Sequence, residues 1–254
     1  MGLFDKKYCD VCGEKIGLLG NRKLEDGNLC KDCAKKLSPW FSDRRRSTVE
    51  EIKEQLAYRE ENKGKVAAFH TTRTLGESMK VLLDEDAGNF MVTKARDLEE
   101  ANPDVLRFAD VTGCNLDIDE SSTELKRENK DGKQVSYVPP RYKFSYEFYV
   151  TIFVNNPYFD EIRLKVNPTR VDITPPPSGG RIGVCAPDTD AEYSRYKAMG
   201  EEIKEALTQV RQDVRDKIEQ AAAPKAAVTC PHCGATTTPD AGGCCEYCGG
   251  AVNG

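Results

Sequence analysis

Cys9-Asp10-Val11-Cys12 and Cys30-Lys31-Asp32-Cys33 are two Cys-x-x-Cys turns separated by seventeen residues. Each turn offers two thiolates to one face, and four thiolates are the closed tetrahedral set that structural zinc prefers. A second quartet, Cys230-Pro231-His232-Cys233 and Cys245-Glu246-Tyr247-Cys248, repeats the device with an eleven-residue spacer. Cys245 rather than Cys244 is the expected ligand, because only Cys245 stands three positions before Cys248. The spacing therefore predicts two metal ions per chain, with Cys9, Cys12, Cys30 and Cys33 holding one and Cys230, Cys233, Cys245 and Cys248 the other. Zinc is the expected metal. Iron is the alternative, since paired knuckles of this kind also hold iron in rubredoxins.

Charge restricts the partners. The 254 residues carry a formal net charge of −5, and each cage of four thiolates around one dication would add −2, taking the chain to −9. Broad non-specific binding to nucleic acid, which relies on excess Lys and Arg to displace counterions, is disfavoured. The residues from Met1 to Lys7 contain no apolar signal segment, and no apolar run approaches the length of a membrane span. Eleven cysteines without a secretory leader point to a reducing cytoplasm. Gly2 lacks the Ser or Thr that myristoylation asks for at the sixth position, where Lys6 stands.

Five segments are expected: an N-terminal four-cysteine zinc finger over 1–40, a linking helix over 41–64, an antiparallel β domain over 65–174, an amphipathic helix over 187–223 and a C-terminal zinc ribbon over 228–254. In the first, knuckle, hairpin, knuckle and helix follow in the order of a treble-clef finger. The finger lysines and arginines, Arg22, Lys23, Lys35 and Lys36, could also meet a partner. Trp40 is expected to plug the base of the finger while Arg44, Arg45 and Arg46 stay wet. Ser47-Thr48-Val49-Glu50 reads as a capping box, followed by an apolar stripe at Val49, Ile52 and Leu56.

The β domain holds the plainest strand. From Tyr142 to Val154 every second residue is apolar, a period that excludes a helix, and Ile162, Leu164 and Val166 supply the return. Met79 to Leu83 and Phe90 to Thr93 flank an acidic turn. Val105 to Val111 and Asn115 to Ile118 are expected to pair around Thr112-Gly113, and Leu125 to Glu128 should meet Gln134 to Val138 in a projecting charged ribbon. The fold class expected is α+β, an antiparallel sandwich or bent barrel with a long C-terminal helix, flanked by the two small four-cysteine modules.

No nucleophile with a base carries motif support, so no catalytic residue is expected and the chain reads as a non-enzyme. His70 is a lone histidine at a strand end, and His232 lies between two ligands. Asp84, Glu85 and Asp86 sit in a turn. Ser178 to Gly183 lacks the strand and helix that a phosphate loop needs. Cys114 and Cys185 have no paired cysteine and read as small buried or loop residues. After the Thr174-to-Gly180 linker, Thr189-Asp190-Ala191-Glu192 reads as a second capping box. The helix beyond carries one apolar stripe through Tyr193, Tyr196, Met199, Ile203, Leu207, Val210, Val214 and Ile218. That stripe either closes one end of the β domain or serves self-association across residues 193–218.

The opening Cys9-x-x-Cys12-Gly13-x-Lys15-Ile16-Gly17, with Lys23-Leu24-x-Asp26-Gly27 and Leu29-Cys30-x-x-Cys33 behind it, resembles the N-terminal zinc-binding domain of an uncharacterised family in Gram-positive bacteria, over about residues 7 to 60. The tail looks like a zinc ribbon. The middle resembles bacterial pleckstrin-homology-like (PH-like) domains, which implies a bent antiparallel sheet capped by a helix. The function expected on these grounds is a zinc-binding adaptor or scaffold that engages a protein partner. The alternatives are a nucleic-acid-binding regulator using the fingers with Arg44, Arg45 and Arg46, and a lipid-headgroup binder using Arg127, Lys130 and Lys133 of the β domain.

Overall fold

The computed structural model describes residues 6–175, 186–222, 227–240 and 242–252. Gly2, Cys185, residues 176–180 of the linker, the Ser178-to-Gly183 segment and the side chain of Ile218 lie outside the described residues. The chain forms two compact units, Met1–Arg211 and Gln212–Gly254.

The first unit opens with β1 (Lys7–Tyr8), β2 (Lys15–Ile16), β3 (Arg22–Lys23), β4 (Asn28–Leu29) and α1 (Lys31–Lys35), where β1 pairs with β2 and β3 with β4. Its core is Ile16, Leu24, Leu29 and Leu37 around the buried cysteines, and Ile52 of the next helix, α2 (Val49–Ala68), completes it. A core this small cannot carry a fold without help, and a neighbouring helix supplies part of that help. Phe41, not Trp40, packs on this core, and the Phe41 ring meets Tyr158 edge-on at 6.5 Å. Trp40 is half-buried, so the plug falls one residue later than expected.

The capping box also falls one residue later. Thr48 is the N-cap of α2: Glu51 N donates to Thr48 Oγ1 at 3.3 Å and Thr48 N donates to Glu51 Oε2 at 2.7 Å. Ser47 instead turns inward, its hydroxyl donating to Asp43 O at 3.1 Å. Gly64 does not stop the helix, which continues to Ala68. The buried positions of α2 are Ile52, Gln55, Arg59, Asn62 and Val66, a stripe in steps of three and four whose middle members are polar.

Two separate four-stranded antiparallel sheets follow, joined into no closed barrel. The first has the order β5 (Arg73–Leu75), β6 (Lys80–Asp84), β7 (Asn89–Thr93) and, after the short α3 (Leu98–Ala101), β8 (Leu106–Arg107). In the second, β10 (Gln134–Val154) pairs with β9 (Val111–Glu128) along one side and with β11 (Glu161–Lys165) and β12 (Val171–Ile173) along the other. The third expected hairpin does not form. Leu106 and Arg107 pair back onto Phe90 and Asn89, and residues 108–110 turn as a 3-10 segment. The whole of Val111–Glu128 is one strand, in which Gly113 faces Phe153. A Cβ on Gly113 would touch the Phe153 ring at 3.4 Å, so this glycine makes room for an aromatic rather than a turn.

The alternation read from the sequence sets the faces of β10: Tyr146, Phe148, Val150, Ile152 and Val154 are buried. The opposite face is a ladder of paired charges, with Lys143 on Asp172 at 2.9 Å, Arg163 on Asp119 at 3.2 Å and Lys165 on Glu147. Beyond Ser122, which faces Phe144, the β9–β10 ribbon projects with its side chains exposed or half-exposed, turning at Gly132.

α4 (Ala191–Ala222) starts at Asp190, whose Oδ1 accepts from Glu192 N and Tyr193 N, both at 2.9 Å, so the cap is Asp190 rather than Thr189. Tyr193 sets its ring edge-on against Tyr146 and Phe148, at 4.9 and 5.0 Å. Gly200 lets the helix approach Leu116, and Ile203 lies beside Gly76. Arg195 pairs with Glu77, and Arg73 with Glu202 at 3.3 Å, tying the helix to the first sheet as well. Tyr193, Tyr196, Ile203 and Leu207 are thereby buried inside the unit, which takes that part of the stripe out of any contact between copies. Val210 and Val214 are half-exposed.

In the second unit β13 (Val228–Thr229) pairs with β14 (Thr236–Thr237), and Cys244 bridges to Ala251. Its core is Cys230, Cys245 and Val252 with Val228.

Candidate metal centres

Each quartet gathers. The sulfurs of Cys9, Cys12, Cys30 and Cys33 all lie within 4.8 Å of one another, as do those of Cys230, Cys233, Cys245 and Cys248. The closer pairs are Cys12–Cys30 at 3.7 Å, Cys230–Cys248 at 3.6 Å and Cys233–Cys245 at 3.7 Å. Four sulfurs about 2.3 Å from one tetrahedral ion stand about 3.8 Å apart, whereas a disulfide brings two to about 2.05 Å. The spacing therefore fits one ion per cage.

Local backbone geometry makes the cages. Cys9 N donates to Glu14 O and Gly13 N to Cys9 O, at 2.9 and 2.8 Å, curling the chain around the first pair. The turn needs positive φ at Gly13, which is +75°. The same two bonds recur at Cys230 with Gly234 and at Cys245 with Gly249, whose φ values are +73° and +69°. The remaining pair is built differently. Cys30 is the N-cap of α1, and Cys33 lies on the first turn of that helix. Cys33 N donates to Cys30 Sγ at 3.3 Å, and Cys30 N to Cys9 Sγ at 3.3 Å, so amide dipoles aim at the sulfurs.

The sulfurs do not share charge evenly. Burial pushes the Cys9 thiol up, but the backbone amides of Cys12, Cys30 and Val11 outweigh it and hold the group at about 7. Burial, with the neighbouring cysteines, raises Cys33. In the second cage burial again opposes the amides of Cys248 and Tyr247, which win and hold Cys245 at about 6. For Cys248 the Gly250 amide pulls down, but Cys233 and Cys230 push the thiol up to about 12. One thiolate forms readily in each cage and its neighbours resist a second negative charge. The chain therefore releases protons when a cation is bound, and its affinity for that cation falls as pH falls.

Among the described residues, the two remaining cysteines, Cys114 and Cys244, belong to neither cage. Cys114 lies on β9, where burial pushes its thiol up to about 12, and Cys244 points its sulfur at Gly242 O, 3.8 Å away. His232 is exposed, its ring packed over Gly250. His70 is exposed beside Asp86, and its backbone N–H donates to the buried Asp84 at 2.9 Å.

Spacing alone does not single out the carboxylates that brace the first finger. Asp10 Oδ2 accepts from Asn28 N at 2.6 Å, and Asp26 Oδ1 accepts from Val49 N at 2.8 Å. Gly27 lies between them: a Cβ there would come within 2.5 Å of Val49 and 2.8 Å of Asp10, so the hairpin tip and the start of α2 can meet only at a glycine. The bracing continues at the far end. Arg59 donates to Asp104 at 2.7 Å, to Asn102 O and to Lys36 O, while Ser38 donates to the other oxygen of Asp104 at 2.7 Å. Asn62 donates to Asn102 and to Pro103 O, at 2.8 and 2.7 Å, and accepts from Val105 N. Residues from the finger, α2 and the segment before β8 thus share one buried network.

Residues 7–55 match the family described as Domain of unknown function (DUF4428). No curated protein and no solved structure matches the chain.

Proposed function

We propose that the chain is a non-enzymatic zinc-binding adaptor, in which both cages hold structural zinc and the first unit offers a protein partner a composite surface of finger, helix α2 and β domain. The observation that carries this reading is the buried network around Arg59 and Asp104. It makes the treble-clef-like finger a fixed part of that surface, not a bead on a linker. Four thiolates per cage leave no open position for a water or substrate, which supports a structural rather than a catalytic metal. A partner strand also has somewhere to pair. Among the described residues β9 has β10 on one side and no strand on the other, over the length of Val111–Glu128.

The test is affinity capture of the tagged, metal-loaded chain from its native cells, beside a variant carrying Cys9→Ser and Cys12→Ser. The adaptor reading predicts a stoichiometric protein partner retained by the parent chain and lost from the variant. Recovery of nucleic acid in place of protein, with affinity falling steeply with salt, would favour a regulator acting through Arg44, Arg45 and Arg46 instead.

A further inference from the structure

The turn from Gly17 to Gly20 carries side chains that turn chemistry does not ask for. Gly20 N donates to Gly17 O at 3.0 Å, and the two central positions are Leu18 and Leu19, 91 % and 88 % exposed. Such positions favour Gly, Pro, Asn, Asp or Ser, and two adjacent leucines here bury nothing within the chain.

Arg22 stands directly beside them, and further cations follow along the same hairpin. Arg22 Nη1 donates to Leu19 O and to Asn21 O, both at 3.3 Å, and Arg44 Nη1 donates to Lys23 O at 2.7 Å. Arg22, Lys23, Arg44 and Arg45 line one open cleft, in which Glu25 is the sole carboxylate. Among the described residues no carboxylate lies within 4.0 Å of the charged groups of these four. The neighbouring acids are engaged elsewhere: Asp10 and Asp26 accept backbone N–H bonds, and Asp43 pairs with Arg46. The crowding of positive charge is also felt at Arg44, whose guanidinium pKa is lowered by burial and then by Arg45 and Arg22.

An apolar tip joined through Arg22 to a cleft whose guanidinium groups have no carboxylate partner is complementary to an anionic bilayer surface, where acyl chains receive the leucines and headgroup phosphates receive the arginines. We infer that the turn from Gly17 to Gly20, with Arg22, Arg44 and Arg45, is a docking site for an anionic lipid surface. The tip is two side chains wide, so insertion is shallow and reversible, and it needs the charges and the leucines together. This goes beyond the adaptor reading and does not rest on it, since a partner could bind the first unit at the membrane or away from it.

The experiment is co-sedimentation of the full, metal-loaded chain with vesicles of phosphatidylcholine alone and of phosphatidylcholine mixed with an equal amount of phosphatidylglycerol. Binding is expected to the mixed vesicles only. Leu18→Ser with Leu19→Ser should weaken it at least about tenfold, and Arg45→Gln about fivefold, with metal content unchanged in every variant. Leu19→Trp supplies a second readout, in which the emission of the introduced indole shifts to the blue on binding and is quenched by brominated acyl chains. Equal binding to both vesicles, a leucine variant that binds like the parent chain, or an indole emission that stays put in the Leu19→Trp variant would each overturn the inference. So would tighter binding to duplex DNA than to vesicles, which would assign the arginines to nucleic acid.

Discussion

Arg59 Nη1 lies 2.7 Å from Asp104 Oδ1, and the two side chains are only 7 % and 0 % exposed. An ion pair this deep is costly to break from one side, because the survivor stays buried and unpaired. Arg59→Leu and Asp104→Leu should each destabilise the first unit by about 3–5 kcal/mol, and the double variant by less than their sum. Urea titrations of the three variants measure this, and additive losses would deny the coupling. Burial raises the Asp104 carboxyl above its ordinary range, against the pull of Arg59 and Ser38. The folded state thus holds this proton more tightly than the unfolded state. The contribution is present in full below the ordinary carboxylate pKa and declines as pH rises through the raised value. The double variant should lack that decline.

Gln55 sits fully buried in the same stripe of α2, and neither its side-chain nitrogen nor its oxygen has a hydrogen-bond partner. A desolvated, unbonded amide is a liability that an apolar side chain of similar length removes. Gln55→Met should raise stability by about 1–2 kcal/mol, read as a higher urea midpoint. A drop would show that the amide is bonded in solution.

How far the sequence led can be judged on that stripe. Cys-x-x-Cys spacing located both sulfur clusters because a metal cage is local chemistry, fixed by two short turns. Strict alternation located β10 for the same reason. In α2, however, the apolar period of Val49, Ile52 and Leu56 stops short, because Gln55, Arg59 and Asn62 are polar although they keep step with Ile52 and Val66. Their partners at Ser38, Asn102 and Asp104 lie tens of residues away, and no local rule links them. Gly113 misled in the opposite direction, since a glycine that admits the Phe153 ring looks the same in sequence as one that makes a turn. Leu18 and Leu19 look in sequence like any apolar pair of a small finger, and only the turn from Gly17 to Gly20 leaves both exposed.

The start of α2 offers a test at single-residue resolution. Thr48 closes the reciprocal cap with Glu51, whereas Ser47 faces inward. Thr48→Ala should cost about 1 kcal/mol, and Glu51→Ala should cost little more in its presence, because the two act as one unit. A Thr48→Ala variant as stable as the parent chain would place the cap elsewhere.

Gly200 allows α4 to lie against β9: a Cβ there would come within 2.5 Å of Leu116 Cδ1. Alanine gains helix propensity while pressing on a side chain that can yield, so Gly200→Ala should be close to neutral. Gly200→Leu should cost about 1–3 kcal/mol and enhance hydrogen exchange across residues 191–207. Equal stability of the two variants would contradict the close approach.

Mass spectrometry of the freshly purified chain under non-denaturing conditions, followed by alkylation, bears most directly on the two cages. Two metal ions per chain are predicted. While the metal is bound, the eight cage cysteines should resist alkylation, and they should become reactive once it is removed. A chain that carries no metal, or one whose mass shows the eight cage sulfurs joined as disulfides, would contradict the account.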